Sequence, residues 1–156
     1  MTEAGIMTAK EHFTMLEKCI IFARTIFLAG LVSALKKRLT LPKMMELLDS
    51  KKKGERPLTE EDERYGDLVN SSVVRIYKKK DGNGEGICLL RSLVLFRALR
   101  KRGVSVIWKT GVVRDGEDLK GHSWLEAGGR HLWDSSPGIS YNVTWSYPPE
   151  RHGTDT

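Results

Sequence analysis

The chain has 156 residues, of which 40% are hydrophobic and 29% charged, a composition typical of a folded domain rather than of a disordered segment. Its net charge of +6 comes from short basic runs at predicted helix ends, so nucleic-acid binding is the less favoured interpretation. The sequence has two cysteines and shows no zinc-ligand spacing, phosphate loop or dinucleotide fingerprint. We therefore expect no disulfide framework, no metal, no cofactor and a reducing cytoplasm.

The first half of the chain is predicted to be helical, and we take residues 1–80 as an N-terminal helical region and 81–156 as the core. After a loose terminus over residues 1–9, a long apolar helix is predicted from about residue 10 to 39. Arg24 lies inside its apolar run, which is costly at a bilayer centre. We interpret it as a helix buried by its neighbours, with Cys19 in the core, and as a candidate for peripheral membrane contact.

Two further helices are predicted before the core. Pro42 suits the first turn of a short helix that continues over residues 43–48. After a polar linker over residues 49–58, Thr59 is the predicted N-cap of the next helix, because acidic residues fill the turn that follows it. The apolar residues of this helix recur at helical spacing, which indicates core positions rather than a site.

Cys88 is predicted to lie in the first turn of a fourth helix, which ends before Gly103. A loop over residues 81–86, rich in glycine and charge, leads into it. Taken alone, a free cysteine is more often a small buried hydrophobe than a nucleophile. A helix N-terminus nevertheless favours the thiolate, which is the nucleophilic form.

Downstream of this helix, β-branched and aromatic residues predict three antiparallel strands and an irregular tail after Pro137. The strands are expected over residues 104–113, 122–127 and 130–135. The fold class is therefore predicted to be α+β, with the Cys88 helix packed on a small three-stranded sheet.

The turn at Gly128-Gly129 decides which side chains face each other across the last two strands. A two-residue turn would put Asp134 on the sheet face opposite His122. We predict a three-residue loop with a bulge at Gly129 instead, because it pairs His122 with Asp134. The Cys88 helix is then expected to pack on that face.

The same register decides the roles of the neighbouring residues. It pairs Glu126 with Arg130, which is the favoured role for Glu126 over that of a reserve carboxylate for the histidine. It places His131 on the opposite face, and Trp124 is expected to pack under His122.

Cysteine, histidine and carboxylate are the three groups of a thiol hydrolase or acyl transferase. In this scheme Cys88 attacks a carbonyl carbon as the thiolate and forms a thioester. His122 holds the proton and later gives it to the leaving amine, while Asp134 orients the ring. Backbone N–H groups at the start of the helix would meet the oxyanion.

The order of these elements resembles the transglutaminase-like superfamily, which has a papain-type fold. Within it, residues 88–93 (CLLRSL), a helix ending at Arg102, a strand reaching Gly111 and residues 122–126 (HSWLE) are similar to the stand-alone leader peptidase of lasso peptide biosynthesis. Two positions depart from that pattern. Ser123 stands where the family usually has alanine, and residues 133–136 (WDSS) resemble the wider superfamily's ending.

The resemblance implies a cytoplasmic cysteine endopeptidase of ribosomal peptide maturation, with Cys88, His122 and Asp134 as catalytic residues. It implies a precursor peptide as substrate, a small leader-recognition protein as partner and a lasso cyclase acting beside it. The N-terminal helices are candidates for docking the partner or the leader.

Three other interpretations stay open. The first is another transglutaminase-like acyl transferase or amidase with the same triad. The second is a non-catalytic peptide-binding domain of the same fold. The third is a basic helical protein that touches nucleic acid or an anionic membrane.

Overall fold

A computed structural model describes residues 13–50, 55–78, 86–134 and 138–149. Four helices precede four strands: α1 (Met15–Leu35), α2 (Leu41–Leu48), α3 (Glu60–Lys78), α4 (Ile87–Lys101), β1 (Ile107–Asp115), β2 (Asp118–Ala127), β3 (Arg130–Leu132) and β4 (Asn142–Tyr147). The predicted α+β class is confirmed. The predictions for residues 1–9 and for the loop over 81–85 lie outside the described residues, and the division at residue 80 stays a prediction.

The sheet is antiparallel, with the strand order β3-β2-β1-β4. It has one strand more than predicted, because the tail after Pro137 is not wholly irregular. β4 pairs with β1 from Trp108 opposite Tyr147 to Val112 opposite Asn142. β4 is rich in β-branched and aromatic residues, a strand signal that the surrounding prolines and glycines obscured.

Helix α4 forms the centre of the core. Leu93, Phe96 and Leu99 are fully buried. α4 packs against α1 and α3 on one side and against β1 and β2 on the other. On the sheet side, the Trp108 indole Nε1 donates a hydrogen bond of 2.8 Å to Ser92 Oγ. Because Trp108 lies opposite Leu125, α4 covers the Leu125 face of the sheet.

Helix α1 begins at a capping box, in which the side chains of Thr14 and Glu17 bond each other's backbone N–H groups. One stripe of α1 faces the core, and its buried members are Ile21, Thr25, Ala29 and Val32. The expectation that neighbours bury the whole helix is therefore wrong. Cys19 is exposed and does not belong to the core, contrary to the prediction.

A buried carboxylate joins the start of α3 to the end of α4. Thr59 caps α3 as predicted, since its Oγ1 accepts the Asp62 N–H and its own N–H and O–H groups bond Asp62 Oδ2. The Asp62 side chain is fully buried and also accepts hydrogen bonds of 2.6 Å from Arg56 and 2.7 Å from Arg102. This contact fixes the two helices relative to each other.

Asp62 makes the stability of the fold dependent on pH. Burial alone would raise the pKa of the Asp62 carboxyl, but hydrogen bonds from two arginines and Thr59 outweigh it and hold that pKa well below its ordinary value. A carboxyl with a lowered folded pKa contributes its full stabilisation above the pKa of an unfolded aspartate, about 3.9. That contribution is lost as the pH falls below this value.

We expect Asp62→Asn to lower the free energy of unfolding at pH 7 by about 2–3 kcal/mol, because two cations lose their shared carboxylate. The difference from wild type should shrink as the pH falls from about 4 to 2. Urea unfolding of wild type and Asp62→Asn at several pH values measures the loss at pH 7 and its decrease at lower pH. Glu60→Gln is the control, since Glu60 is 93% exposed and should have an effect within about 0.5 kcal/mol. An Asp62→Asn effect that stays constant with pH would contradict the role of the charge.

Candidate active site

The turn between β2 and β3 has two residues, Gly128 and Gly129, and not the predicted three-residue loop. Ala127 pairs with Arg130, and Glu126 pairs with His131. Both glycines have positive φ angles, 56° and 75°, as a two-residue hairpin turn of this kind requires. If β3 continued in this register, Asp134 would lie on the opposite sheet face from His122.

β3 does not continue, and this brings the predicted pair together by another route. The strand ends at Leu132, and Trp133 adopts a left-handed conformation with φ of 49°. The chain turns there, so that Asp134 Oδ1 lies 2.7 Å from His122 Nε2. The His122–Asp134 pair is therefore present, although the register that predicted it is wrong.

Helix α3 holds the Trp133 turn in place. The Trp133 indole Nε1 donates a hydrogen bond of 2.8 Å to Asp67 Oδ1. Its ring lies directly on Gly66, where a Cβ atom would overlap the indole carbons. The absence of a side chain at Gly66 thus lets the indole seat on α3.

The imidazole of His122 lies in an aromatic stack and is only 6% exposed. The Trp124 ring stacks on it with centroids 5.9 Å apart, which agrees with the predicted packing. Tyr141 lies closer, with ring centroids 4.9 Å apart. Gly111 permits this approach, because a Cβ there would overlap the backbone oxygen of Asn142. Nothing in the spacing of the sequence indicated Tyr141.

His131 was predicted on the opposite face, and that prediction is wrong. Its Nδ1 lies 3.3 Å from Asp134 Oδ2, and its Nε2 lies 3.1 Å from Glu126 Oε1. Its ring also stacks on Trp124 at 5.5 Å. Asp134 thus contacts two histidines, the buried His122 and the half-exposed His131. If the turn at Gly128-Gly129 is taken as a two-residue turn, His131 pairs with Glu126 and its place on this face of the sheet can be predicted from the sequence.

Glu126 does not pair with Arg130 as predicted, and it contacts Lys109 at 2.8 Å and the Trp124 Nε1–H at 2.9 Å. Burial alone would raise the pKa of Glu126, but these two hydrogen bonds bring it below its ordinary value. Arg130 pairs with Glu63 of α3. The contacts that the structure shows for Glu126 are therefore with Lys109, Trp124 and His131.

Cys88 is the second residue of α4, in the first helical turn as predicted, and its side chain is partly exposed. α4 packs on the Leu125 face, so the expectation that this helix packs on the His122 face is wrong. Within the described ranges, no hydrogen bond joins Cys88 to His122. The structure brings together two of the three predicted groups and places the third at the helix end.

Arg91 connects the cysteine electrostatically to the carboxylate. It follows Cys88 by three residues on α4 and is only 8% exposed. Burial lowers the pKa of the Arg91 guanidinium below its ordinary value, and the charges of Cys88 and Asp134 oppose that shift. Both groups therefore lie within electrostatic reach of one buried cation.

The His122 contact also determines which ring nitrogen is available for chemistry. With Asp134 ionised, His122 Nε2 donates its proton to the carboxylate, and Nδ1 is then the nitrogen that can accept one. Among the described residues, no group of three or more histidine, cysteine or acidic side chains has the arrangement of a metal site. The geometry is suited to proton transfer at Nδ1.

Residues 28–146 match the sequence model of the transglutaminase-like superfamily. The chain belongs to this superfamily. Its members are in general cysteine peptidases and transglutaminases, so the chain is grouped with cysteine-dependent acyl chemistry. Neither the curated proteins nor the solved structures include a match to this sequence.

The packing of Trp133 on α3 can be tested by a substitution that adds a single methyl group to α3. We expect Gly66→Ala to cost about 1–3 kcal/mol of unfolding free energy, because the new Cβ overlaps an indole that is also held by Asp67. In Gly30→Ala the new Cβ meets nothing within 4 Å, so helix propensity should stabilise the protein by about 0.5–1 kcal/mol. Urea unfolding measures both variants.

The same pair of variants reports on the site. If the turn positions Asp134, Gly66→Ala should shift the NMR signals of the His122 ring at a fixed pH, because the contact of Nε2 with Asp134 changes, and Gly30→Ala should not. Unchanged His122 ring signals in a destabilised Gly66→Ala protein would show that Asp134 is positioned independently of the indole.

Proposed function

We propose that this protein is a cysteine peptidase that removes the leader from a ribosomally synthesised, lasso-type precursor peptide through a Cys88-His122-Asp134 triad. The observation that carries the proposal is the 2.7 Å contact of Asp134 with His122 Nε2. It fixes the ring and leaves Nδ1 as the base, as a thiol-activating histidine requires.

In the proposed mechanism, His122 Nδ1 takes the Cys88 proton and the thiolate attacks the scissile carbonyl carbon. The tetrahedral intermediate collapses to a thioester as the protonated His122 gives its proton to the leaving amine. Water then attacks the thioester, with His122 again acting as the base, and Cys88 is released.

The start of α4 offers groups for the developing oxyanion. Gly86 is the N-cap residue, and because it has no side chain it cannot cap the first turn of the helix. The backbone N–H of Cys88 is therefore a natural hydrogen-bond donor to the oxyanion. Arg91 places a buried positive charge within electrostatic reach of Cys88 and Asp134.

The choice of substrate rests on the residues that resemble the lasso leader peptidase, above all 88–93 (CLLRSL) and 122–126 (HSWLE). On this basis we propose a small leader-recognition protein as the partner that delivers the precursor, a lasso cyclase acting beside it, and a cytoplasmic location. Another acyl transfer reaction is the second candidate, because superfamily membership supports the thioester step equally for amine acceptors.

Cleavage of a purified lasso precursor peptide, with and without its leader-recognition protein, tests the proposal by mass spectrometry. We expect one cut that disappears in Cys88→Ala. Cys19→Ala is the matched control, since Cys19 is the other free cysteine and lies exposed on α1. It should cut at the wild-type rate.

The other outcomes separate the alternatives. Cutting by Cys88→Ala would overturn the triad. Transfer of the acyl group to an added primary amine, with little hydrolysis, would favour the acyl transferase. If the precursor is untouched and Cys88 alkylates no faster than Cys19 at neutral pH, the non-catalytic binding domain would be favoured.

Asp134 contacts two histidines, and we expect its contact with His122 to matter more for catalysis than its contact with His131. Asp134→Asn should lower kcat on the order of 10³-fold, because the amide favours the wrong tautomer of His122. His131→Gln should cost about tenfold or less, since the exposed His131 contact contributes at most about 1 kcal/mol. Initial rates over a range of pH measure both, and equal losses would place His131 in the machinery itself.

A further inference from the structure

The outer face of α1 is apolar along its whole length. At 100° per residue, the positions opposite the buried stripe of α1 span about 140° of the helix surface. They contain no charged residue and are all exposed: Leu16, Cys19, Ile20, Ala23, Ile26, Phe27, Gly30, Leu31 and Ala34. Phe27 is 75% exposed and Leu16 71%. We call these nine residues the outer face.

The opposite side of α1 is fixed to the protein. Its buried stripe packs on α3 and α4, and Ser33 Oγ lies 3.0 Å from Tyr77 Oη of α3. α1 is the described helix that is long and apolar enough to cross a membrane, and only 22% of its most apolar window is buried. A helix held along its length cannot cross a bilayer without leaving the core, so it can meet a membrane only by lying flat on it.

Positive charge lies beside the outer face and at its C-terminal end. Arg24 borders the face on α1, and the basic run at 36–38 follows the last turn of the helix; all four side chains are exposed. The acidic residue of α1, Glu17, is engaged in the capping box. Beside the outer face, a cleft of about 710 Å³ between α1, α3 and α4 is lined by Phe27 and Leu31 together with the cations Arg24, Arg97 and Lys101. Arg102 also lines it, but its charge is paired with Asp62 and Glu61.

We propose that the outer face binds the surface of an anionic bilayer, with α1 lying in the plane of the interface. Apolar side chains would enter the acyl boundary while the surrounding lysines and arginines meet lipid headgroups. A second copy of the chain fits less well. In a parallel orientation, pairing two outer faces would bring the two basic runs at 36–38 together, and Glu17, the acidic residue of α1, is already engaged in the capping box. A coiled-coil seam is also narrower than this face.

Co-sedimentation of the full chain with lipid vesicles tests this proposal. We expect binding to vesicles that contain phosphatidylglycerol, weaker binding to pure phosphatidylcholine, and a loss of binding as salt is raised. Absence of binding to phosphatidylglycerol vesicles overturns the proposal. Sedimentation of the protein without vesicles, or a dimer by light scattering that Phe27→Glu dissolves, would favour the second copy and also overturn it.

Matched variants assign the binding to the outer face. Phe27→Glu should weaken vesicle binding roughly tenfold or more, because it places a charge where an apolar side chain is expected to enter the lipid. Leu47→Glu is the control, since Leu47 is 62% exposed but lies on α2. It should bind as the wild type does. Equal loss in both variants, or none in either, would contradict the proposal.

The contribution of the basic residues to vesicle binding can be tested separately. Lys37→Gln combined with Arg38→Gln should flatten the salt dependence, and circular dichroism should show that all variants stay folded. An unchanged salt dependence would mean that these cations do not meet headgroups. Because the outer face contains none of the three proposed triad residues, the rate of Cys88 alkylation without vesicles should be the same in Phe27→Glu as in wild type. Failure of the cleavage assay and failure of the vesicle assay are therefore distinguishable.

Discussion

The site depends on a hydrogen bond that the sheet alone would not form. Asp134 meets His122 only because β3 stops at Leu132 and Trp133 turns the chain through a left-handed conformation. Such a conformation is unfavourable for a side chain as large as tryptophan, so the surrounding structure must stabilise it. The contacts of the indole with Gly66 and Asp67 provide that stabilisation. α3 therefore takes part in positioning Asp134, although it contributes none of the three groups of the proposed triad.

The two ends of helix α4 make contacts that bear on the site. At its C-terminal end, the buried Asp62 holds Arg102 and Arg56 and so fixes α3 against α4. At its N-terminal end, Arg91 lies within electrostatic reach of Cys88 and Asp134. The position of Asp134 is set from α3 and that of Cys88 from α4. A contact that fixes these two helices therefore also limits how far the thiol and the carboxylate can move apart.

The elements were predictable from local patterns, and the errors have identifiable physical causes. Thr59 as an N-cap, the Cys88 helix and the strand containing His122 follow from capping and periodicity, which depend on neighbouring residues only. The register error arose because a facing pair was assumed to require a regular ladder. β4 was missed because its proline- and glycine-rich surroundings resembled a loop. Cys19 was placed in the core because hydrophobicity along a helix does not reveal which face has a partner.

The sequence by itself determined the α+β class, the order of the elements and the nature of the three chemical groups, because these follow from residue types and local spacing. It also indicated the superfamily, to which the chain belongs. Only the tertiary structure decided that His131 joins Asp134 and that Tyr141 stacks on His122. It likewise decided that the outer face of α1 stays exposed. Each of these depends on which segments, distant along the chain, come into contact, and neither propensity nor periodicity contains that information.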